Sequence, residues 1–170
     1  MSDLWQRINE KFGRSPAQLL VIKTLLRYGF SVNQRGIYCG NIKIPDAQIA
    51  REAGVDRRVV RATAEAILRD EELATIFSNL RSVAFLRDVA VDLGLGIIEI
   101  IPKDASEHGI ISEVTGVIAK AGISIRQAIT DDPYMVKEAK LTIVTESPVA
   151  GDVIEELRQL PTVKSVVVYG

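Results

Sequence analysis

The 170-residue chain is 47% hydrophobic and has one cysteine, Cys39, so packed cores are within reach and an internal disulfide is excluded. Its 21 Lys+Arg almost balance 22 Asp+Glu, which excludes a global electrostatic pull on nucleic acid or membrane. The balance is uneven along the chain. Residues 1–94 carry 14 Lys+Arg and 11 Asp+Glu, whereas residues 95–170 carry 7 and 11, so a basic half precedes an acidic half and two tasks are expected.

In chain order, Leu4, Trp5, Ile8 and Phe12 recur at helical spacing and predict a short amphipathic helix ending at Gly13. Trp5 reads as a core anchor of that helix rather than a stacking platform. Ser15-Pro16 has the form of an N-cap followed by Pro at the first helical position. The helix it opens runs through Leu19, Leu20, Ile22, Leu25 and Leu26 to Gly29, and its all-round apolarity assigns it to the centre of the N-terminal core. Ile37-Tyr38-Cys39 and Ile42-Lys43-Ile44 flank Gly40-Asn41, a hairpin pattern in which Cys39 is a small buried residue.

Residues 45–61 carry the first functional pattern. Pro45-Asp46 opens a short helix with Ile49 and Ala50 facing inward, Gly54 makes a turn beside Val55, and Asp56 caps a second helix that buries Val60, Ala64 and Ile67. The other face of that second helix shows Arg58, Arg61, Glu65 and Arg69, with Arg57 at its tip. The spacing resembles a helix-turn-helix, whose second helix enters the DNA major groove. The resemblance implies DNA contacts from Arg57, Arg58 and Arg61, whose forked guanidinium groups suit phosphate and the guanine edge. The plainer alternative is a solvated face with Arg61–Glu65 and Glu65–Arg69 pairs.

Asp70-Glu71-Glu72 reads as a helix end or an exposed turn, and no hairpin follows to form a C-terminal wing. Leu80–Leu93 is expected as a further helix, with Val83, Leu86, Val89, Ala90 and Leu93 apolar. It would pack on the N-terminal core or against its own copy in a dimer. Leu93-Gly94-Leu95-Gly96 is the expected boundary, dividing a mainly α domain over 1–94 from a second domain over 95–170.

The second domain has a clear rhythm. Ile97–Ile101 is an apolar run broken only by Glu99; Lys103–His108 is a polar loop ending at Gly109. A helical stripe follows at Ile110, Ile111, Val114, Val117, Ile118 and Ala121, then Gly122, and a strand begins with Ile123 and Ile125 around Ser124. Asp131-Asp132-Pro133-Tyr134 ends that strand and starts a loop that reads as a ligand lid or a solvated connection. Lys140–Thr145 alternates as a strand, Ser147-Pro148 introduces a helix with Val153, Ile154, Leu157 and Leu160, and Val163–Tyr169 is a last β-branched run. The order is βαββαβ, a ferredoxin-like α+β arrangement.

On these residues the second half resembles an ACT domain, the small-molecule-sensing module of many amino-acid-metabolic enzymes and regulators. Asp104, Gly109 and Gly122 match the family pattern; His108 stands where Pro is frequent and Ser124 where Asn is frequent. The helix-turn-helix followed by an ACT domain, with the lead-in Cys39-Gly40-x-Ile42-x-Ile44-Pro45, resembles archaeal-type ACT-domain regulators of amino-acid metabolism.

What the resemblance implies is an amino-acid-responsive regulator. It would be a transcriptional regulator that binds a small metabolite at the ACT domain and DNA through the helix-turn-helix. The alternative is a regulatory module that docks on a biosynthetic enzyme and delivers amino-acid feedback without DNA. The effector, an amino acid or related small metabolite, is expected beside Asp104, His108, Gly109 and Ile110, with Ser124 offering a hydroxyl. The physical reason is that the first N–H groups of a helix have no intrahelical partner and carry the positive end of its dipole, so they suit a carboxylate; Asp104 would take the ammonium.

No catalytic or metal set is apparent, since the chain has one His and one Cys and neither a phosphate loop nor a dinucleotide fingerprint. A non-enzyme without cofactors is therefore expected. The open edges of a lone ferredoxin-like sheet predict a homodimer or higher homo-oligomer. No apolar run is long enough to span a bilayer, and the start, Met-Ser-Asp-Leu-Trp, lacks a signal peptide's apolar core, so the expected setting is cytoplasmic with no membrane partner.

Overall fold

The computed structural model describes residues 4–169, so the reading of Met1-Ser2-Asp3 lies outside the described residues. The chain divides into two compact units, Met1–Ala84 and Phe85–Gly170, a division that falls before the Gly-Leu-Gly stretch rather than within it.

In the first unit, α1 (Leu4–Phe12) turns Trp5, Ile8 and Phe12 inward as its spacing requires. Helix α2 (Pro16–Tyr28) stops at Gly29, whose φ of 64° closes the helix in the left-handed region. It is central but not wrapped on all sides, because Leu20 stays 47% exposed while Val21, Ile22 and Leu25 are buried. Three short strands follow: β1 (Ser31–Asn33), β2 (Gly36–Cys39) and β3 (Ile42–Ile44), antiparallel in the order β1-β2-β3. The β2–β3 hairpin matches expectation, while β1 is too short to carry a sequence period and pairs through Val32 opposite Ile37. Cys39 is half-buried, its Sγ 3.4 Å from the Ser82 hydroxyl oxygen.

Helix α3 (Asp46–Ala53) ends at Gly54 with φ 66°, and α4 (Arg57–Leu68) begins after Asp56, whose carboxylate accepts the Arg58 N–H at 2.7 Å. The α4 residues that reach the core are Val60, Thr63 and Ile67; Ala64, expected inside, is only half-buried. Thr63 lies one position round the helix and is tolerated because its hydroxyl donates to the Val59 carbonyl oxygen at 2.7 Å.

Two expectations between residues 70 and 93 are overturned. Asp70-Glu71-Glu72 is a helix start: Asp70 accepts the Leu73 N–H at 3.1 Å and caps α5 (Glu71–Ser78), which buries Leu73 and Phe77. Burial pushes the Asp70 carboxyl up, but the Leu73 N–H, Arg7 and Lys11 together hold it well below the usual carboxylate range. The predicted helix over Leu80–Leu93 does not form. Residues 80–86 are irregular, Arg87–Val89 make one 3-10 turn, and Val83, Val89 and Leu93 are exposed.

The second unit is the expected ferredoxin-like fold. Strands β4 (Gly96–Pro102), β5 (Ile125–Thr130), β6 (Leu141–Thr145) and β7 (Val163–Tyr169) form one antiparallel sheet in the order β5-β6-β4-β7. Helices α6 (Ile110–Lys120) and α7 (Gly151–Gln159) bury Ile110, Val114, Ile118, Val153 and Leu157 against Ile98, Ile100, Leu141 and Ile143. Each fully buried aliphatic side chain there contributes about 1.5–3 kcal/mol.

Strand β6 was expected to alternate, yet all five of its residues are buried. The cause is the segment over 86–95, which covers the sheet face turned away from the helices. Ala90, Ile97 and Val144 form a small core there with Leu86, Leu95 and Tyr169, and the Leu86 N–H donates to the Gln127 side-chain oxygen at 2.9 Å.

Candidate functional site

In the second unit, a cleft of about 570 Å³ opens where α6 begins. Its walls include Pro102, Ala105, Glu107, Gly109, Ile110 and Ile111 from the end of β4, the following loop and the first turn of α6. Thr130, Asp131, Pro133, Ala139, Lys140 and Leu141 close it from the β5–β6 connection. Gly109 is the N-cap residue of α6, with φ 94°, and no side chain caps the helix, so the N–H groups of its first turn are left to whatever enters the cleft. A Cβ at Gly109 would meet no heavy atom within 4 Å. Glycine is therefore required by the backbone angle, and the space over it is open.

Of the residues expected at this site, Gly109 and Ile110 line the cleft. Asp104 and His108 lie exposed on the same loop and are not part of the lining. The Asp104 carboxylate is occupied locally: it accepts from the Ser106 hydroxyl at 2.6 Å and the Ser106 N–H at 2.9 Å, which lower its pKa. Ser124 is not brought to the cleft. It precedes the first residue of β5, where its carbonyl oxygen accepts the Glu146 N–H at 2.9 Å, whereas the cleft is at the Thr130–Leu141 end of the same ladder. At roughly 3.3 Å per residue, a six-residue strand separates the two ends by close to 20 Å.

Two cleft residues were not anticipated as ligands. Asp131 and Lys140 face one another across the connection, with the Asp131 N–H donating to the Lys140 carbonyl oxygen at 2.9 Å and the Lys140 N–H to an Asp131 carboxylate oxygen at 3.3 Å. A charged pair bracketing a loop that opens with Asp131-Asp132-Pro133 was the available signal.

In the first unit, a smaller cleft of about 340 Å³ is lined by Asp46, Arg57, Arg58, Arg61, Ala62 and Glu65. Arg57, Arg58 and Arg61 are all exposed and stand together on α4 as their spacing predicts. The expected Arg61–Glu65 pair does not form. Arg61 Nε lies 3.7 Å from an Asp46 carboxylate oxygen, and Glu65 pairs instead with Arg69 at 3.4 Å. Arg57 and Arg58 have no ion pair among the described residues.

The family model of the ACT domain matches residues 105–162, which takes in α6, β5, β6 and α7. Residues 105–162 are an ACT domain. No curated protein matches the chain in sequence. Among solved structures, it is similar to the ACT domain of GTP pyrophosphokinase from Chlorobium tepidum, at 22% identity and a TM-score of 0.35, covering 44% of this chain and 96% of that one. It is also similar to a homoserine dehydrogenase from Thiobacillus denitrificans (12% identity, TM-score 0.35, 67% of this chain and 28% of that one). A third is an AsnC family transcriptional regulator from Agrobacterium tumefaciens (11%, 0.29, 91% and 88%).

On the sheet face turned away from the helices sits a heavily tied charge of the second unit. Glu99 of β4 is 3% exposed and accepts from Arg87 Nε at 2.5 Å, Lys140 Nζ at 2.8 Å and the Tyr169 hydroxyl at 2.9 Å. The Arg87 guanidinium also lies 4.6 Å from the centre of the Tyr169 ring. Burial pushes the Glu99 carboxyl up, but the bonds from Lys140, Arg87 and Tyr169 outweigh it and hold it below its ordinary value. Lys140 therefore belongs both to the cleft wall and to the cluster that holds the 86–95 segment on the sheet.

Among the described residues, no group of three or more His, Cys, Asp or Glu could hold a metal ion, and no helix is long and apolar enough to cross a membrane.

Proposed function

We propose that the chain is an amino-acid-responsive regulator whose effector binds the cleft at the start of α6, and that it acts as a transcriptional regulator through α4. The observation that carries the reading is the uncapped N-terminus of α6 opening into a cleft within the ACT domain. The free N–H groups and the positive end of the helix dipole suit a carboxylate. Asp131 and Glu107, rather than Asp104, are the carboxylates available to an ammonium. Ile110, Ile111 and Leu141 supply an apolar wall for a side chain. Effector binding favours one arrangement of the protein only through a difference in affinity between two arrangements.

The unpaired Arg57 and Arg58, with Arg61, support duplex DNA as the output partner. The carboxylates of Asp46 and Glu65 on the same face favour the second reading, a module that docks on a biosynthetic enzyme. The sheet edges β5 and β7, with Val167 and Val168 exposed, support a homodimer or higher homo-oligomer.

A thermal-shift screen over the proteinogenic amino acids tests the effector site. A ligand at 100 times its dissociation constant stabilises by about 2.7 kcal/mol. The expected result is a shift with a small subset of amino acids; no shift with any of them removes the proposal.

A further inference from the structure

Residues 11–45 hold six Lys+Arg and not one Asp or Glu, a long carboxylate-free run in a chain that is otherwise charge-balanced. Two of those cations, Arg35 in the β1–β2 turn and Lys43 in β3, are both exposed and neither has an ion pair among the described residues. They meet at one turn. The Arg35 N–H donates to the Asn33 side-chain oxygen at 2.8 Å, which fixes the shape of the β1–β2 connection. The Lys43 side chain lies along that turn: its Cε and Nζ are 3.0 and 3.5 Å from the position a Cβ on Gly36 would take. One turn thus carries two exposed cations, neither ion-paired among the described residues, an arrangement that suits a polyanion.

The register sets where this turn stands relative to α4. Gly36 pairs with Asn33, and Ile37 pairs with Ile44, so the turn is at the end of the sheet where β3 hands over to α3. Two residues beyond Ile44, Asp46 touches Arg61 and lines the arginine cleft. Counting about 3.8 Å per residue and about 5.5 Å across the strand pair, Gly36 and Asp46 are at most about 17 Å apart. That distance compares with a major groove of about 12 Å and its bordering phosphates.

We propose that the Arg35 turn, together with Lys43, is a second phosphate-binding element that grips the backbone of duplex DNA beside α4. The inference rests on the reading of α4 as the DNA-contacting helix and adds a contact ahead of it in the chain. Contacts of this kind position the protein and add sequence-independent, salt-sensitive affinity.

The test is fluorescence anisotropy of the full chain with labelled mixed-sequence duplexes of about 20 bp over a salt series. In the Arg35→Gln/Lys43→Gln variant the slope of log affinity against log salt should become shallower by about 1.8 units, equally for unrelated duplexes. The Arg35→Lys/Lys43→Arg variant should keep the wild-type slope, and circular dichroism should be unchanged in both, because both side chains are exposed. If the glutamine variant keeps slope and affinity while Arg57→Ala/Arg58→Ala/Arg61→Ala loses both, this inference alone fails. If the wild-type chain does not bind duplex at low salt, the reading of α4 fails with it. A loss seen only with single-stranded RNA of equal length overturns the assignment to duplex DNA.

Discussion

Helices α4 and α6 each open into a cleft, and the two openings are built in opposite ways. At α4 the Asp56 carboxylate takes the Arg58 N–H at 2.7 Å, so the backbone is satisfied and the surface speaks through side chains, Arg57, Arg58 and Arg61. At α6 the N-cap is Gly109, no side chain among the described residues caps the first turn, and that turn lines a partly apolar cleft. Cations differ in the same way. Arg57 and Arg58 have no ion pair among the described residues, whereas Arg87 and Lys140 are both tied to the buried Glu99. Flexible unpaired guanidinium groups suit a large, repetitive anion met at the surface. A fixed ring of N–H groups over an open glycine suits one small anion held closely.

The comparison is broken most severely at Gly109. Valine there is strained by the φ of 94° and fills the open space over the helix start. With circular dichroism and oligomeric state unchanged, Gly109→Val should lose the effector-induced stabilisation, about 2.7 kcal/mol at saturating ligand. Unchanged affinity by calorimetry would move the effector elsewhere.

A somewhat smaller effect is expected at Glu99. Glu99→Gln removes the charge that orders Arg87 and Lys140 and should cost about 2 kcal/mol in urea unfolding. The acid limb sharpens the point. The folded Glu99 carboxyl is held below its ordinary value of 4.5, so its contribution is present above that pH and is lost as pH falls through the folded value. The glutamine variant should therefore show a flatter acid limb than wild type; equal limbs would mean that the cluster does not stabilise the fold.

The smallest change makes α4 resemble α6. Asp56→Ala leaves the start of α4 uncapped and should cost about 1 kcal/mol in stability. The same urea titration checks it, and a loss within error would show that water replaces the carboxylate without penalty.

Much of the architecture was legible in the chain. The helices α1, α2, α4 and α6, the start at Pro16, the left-handed stop at Gly29, the Asp56 cap and the βαββαβ order are local patterns that local geometry was enough to realise, whereas the Ser15 side chain makes no capping bond and Ile111 and Ala121 of the α6 stripe stay exposed. The start of α5 was legible too, since Asp70 before an acidic first turn and then Leu73 and Phe77 is a helix-opening pattern, although it reads equally as an exposed acidic turn.

Other features were decided by partners far along the chain. Val83, Leu86, Val89, Ala90 and Leu93 have helical spacing, but only Leu86 and Ala90 pack on the sheet face, where the buried Glu99 accepts from Arg87, and Val83, Val89 and Leu93 stay exposed. Asp70 is set by Arg7 and Lys11 from α1 as much as by its own helix. At the candidate site, Gly109 and Ile110 follow from the loop-to-helix pattern. Asp131 and Lys140 reach the cleft, and Ser124 is kept from it, only through the β5–β6 register. Spacing along a chain specifies which face of an element a residue occupies; the element that this face meets is settled by the free energy of the whole assembled core.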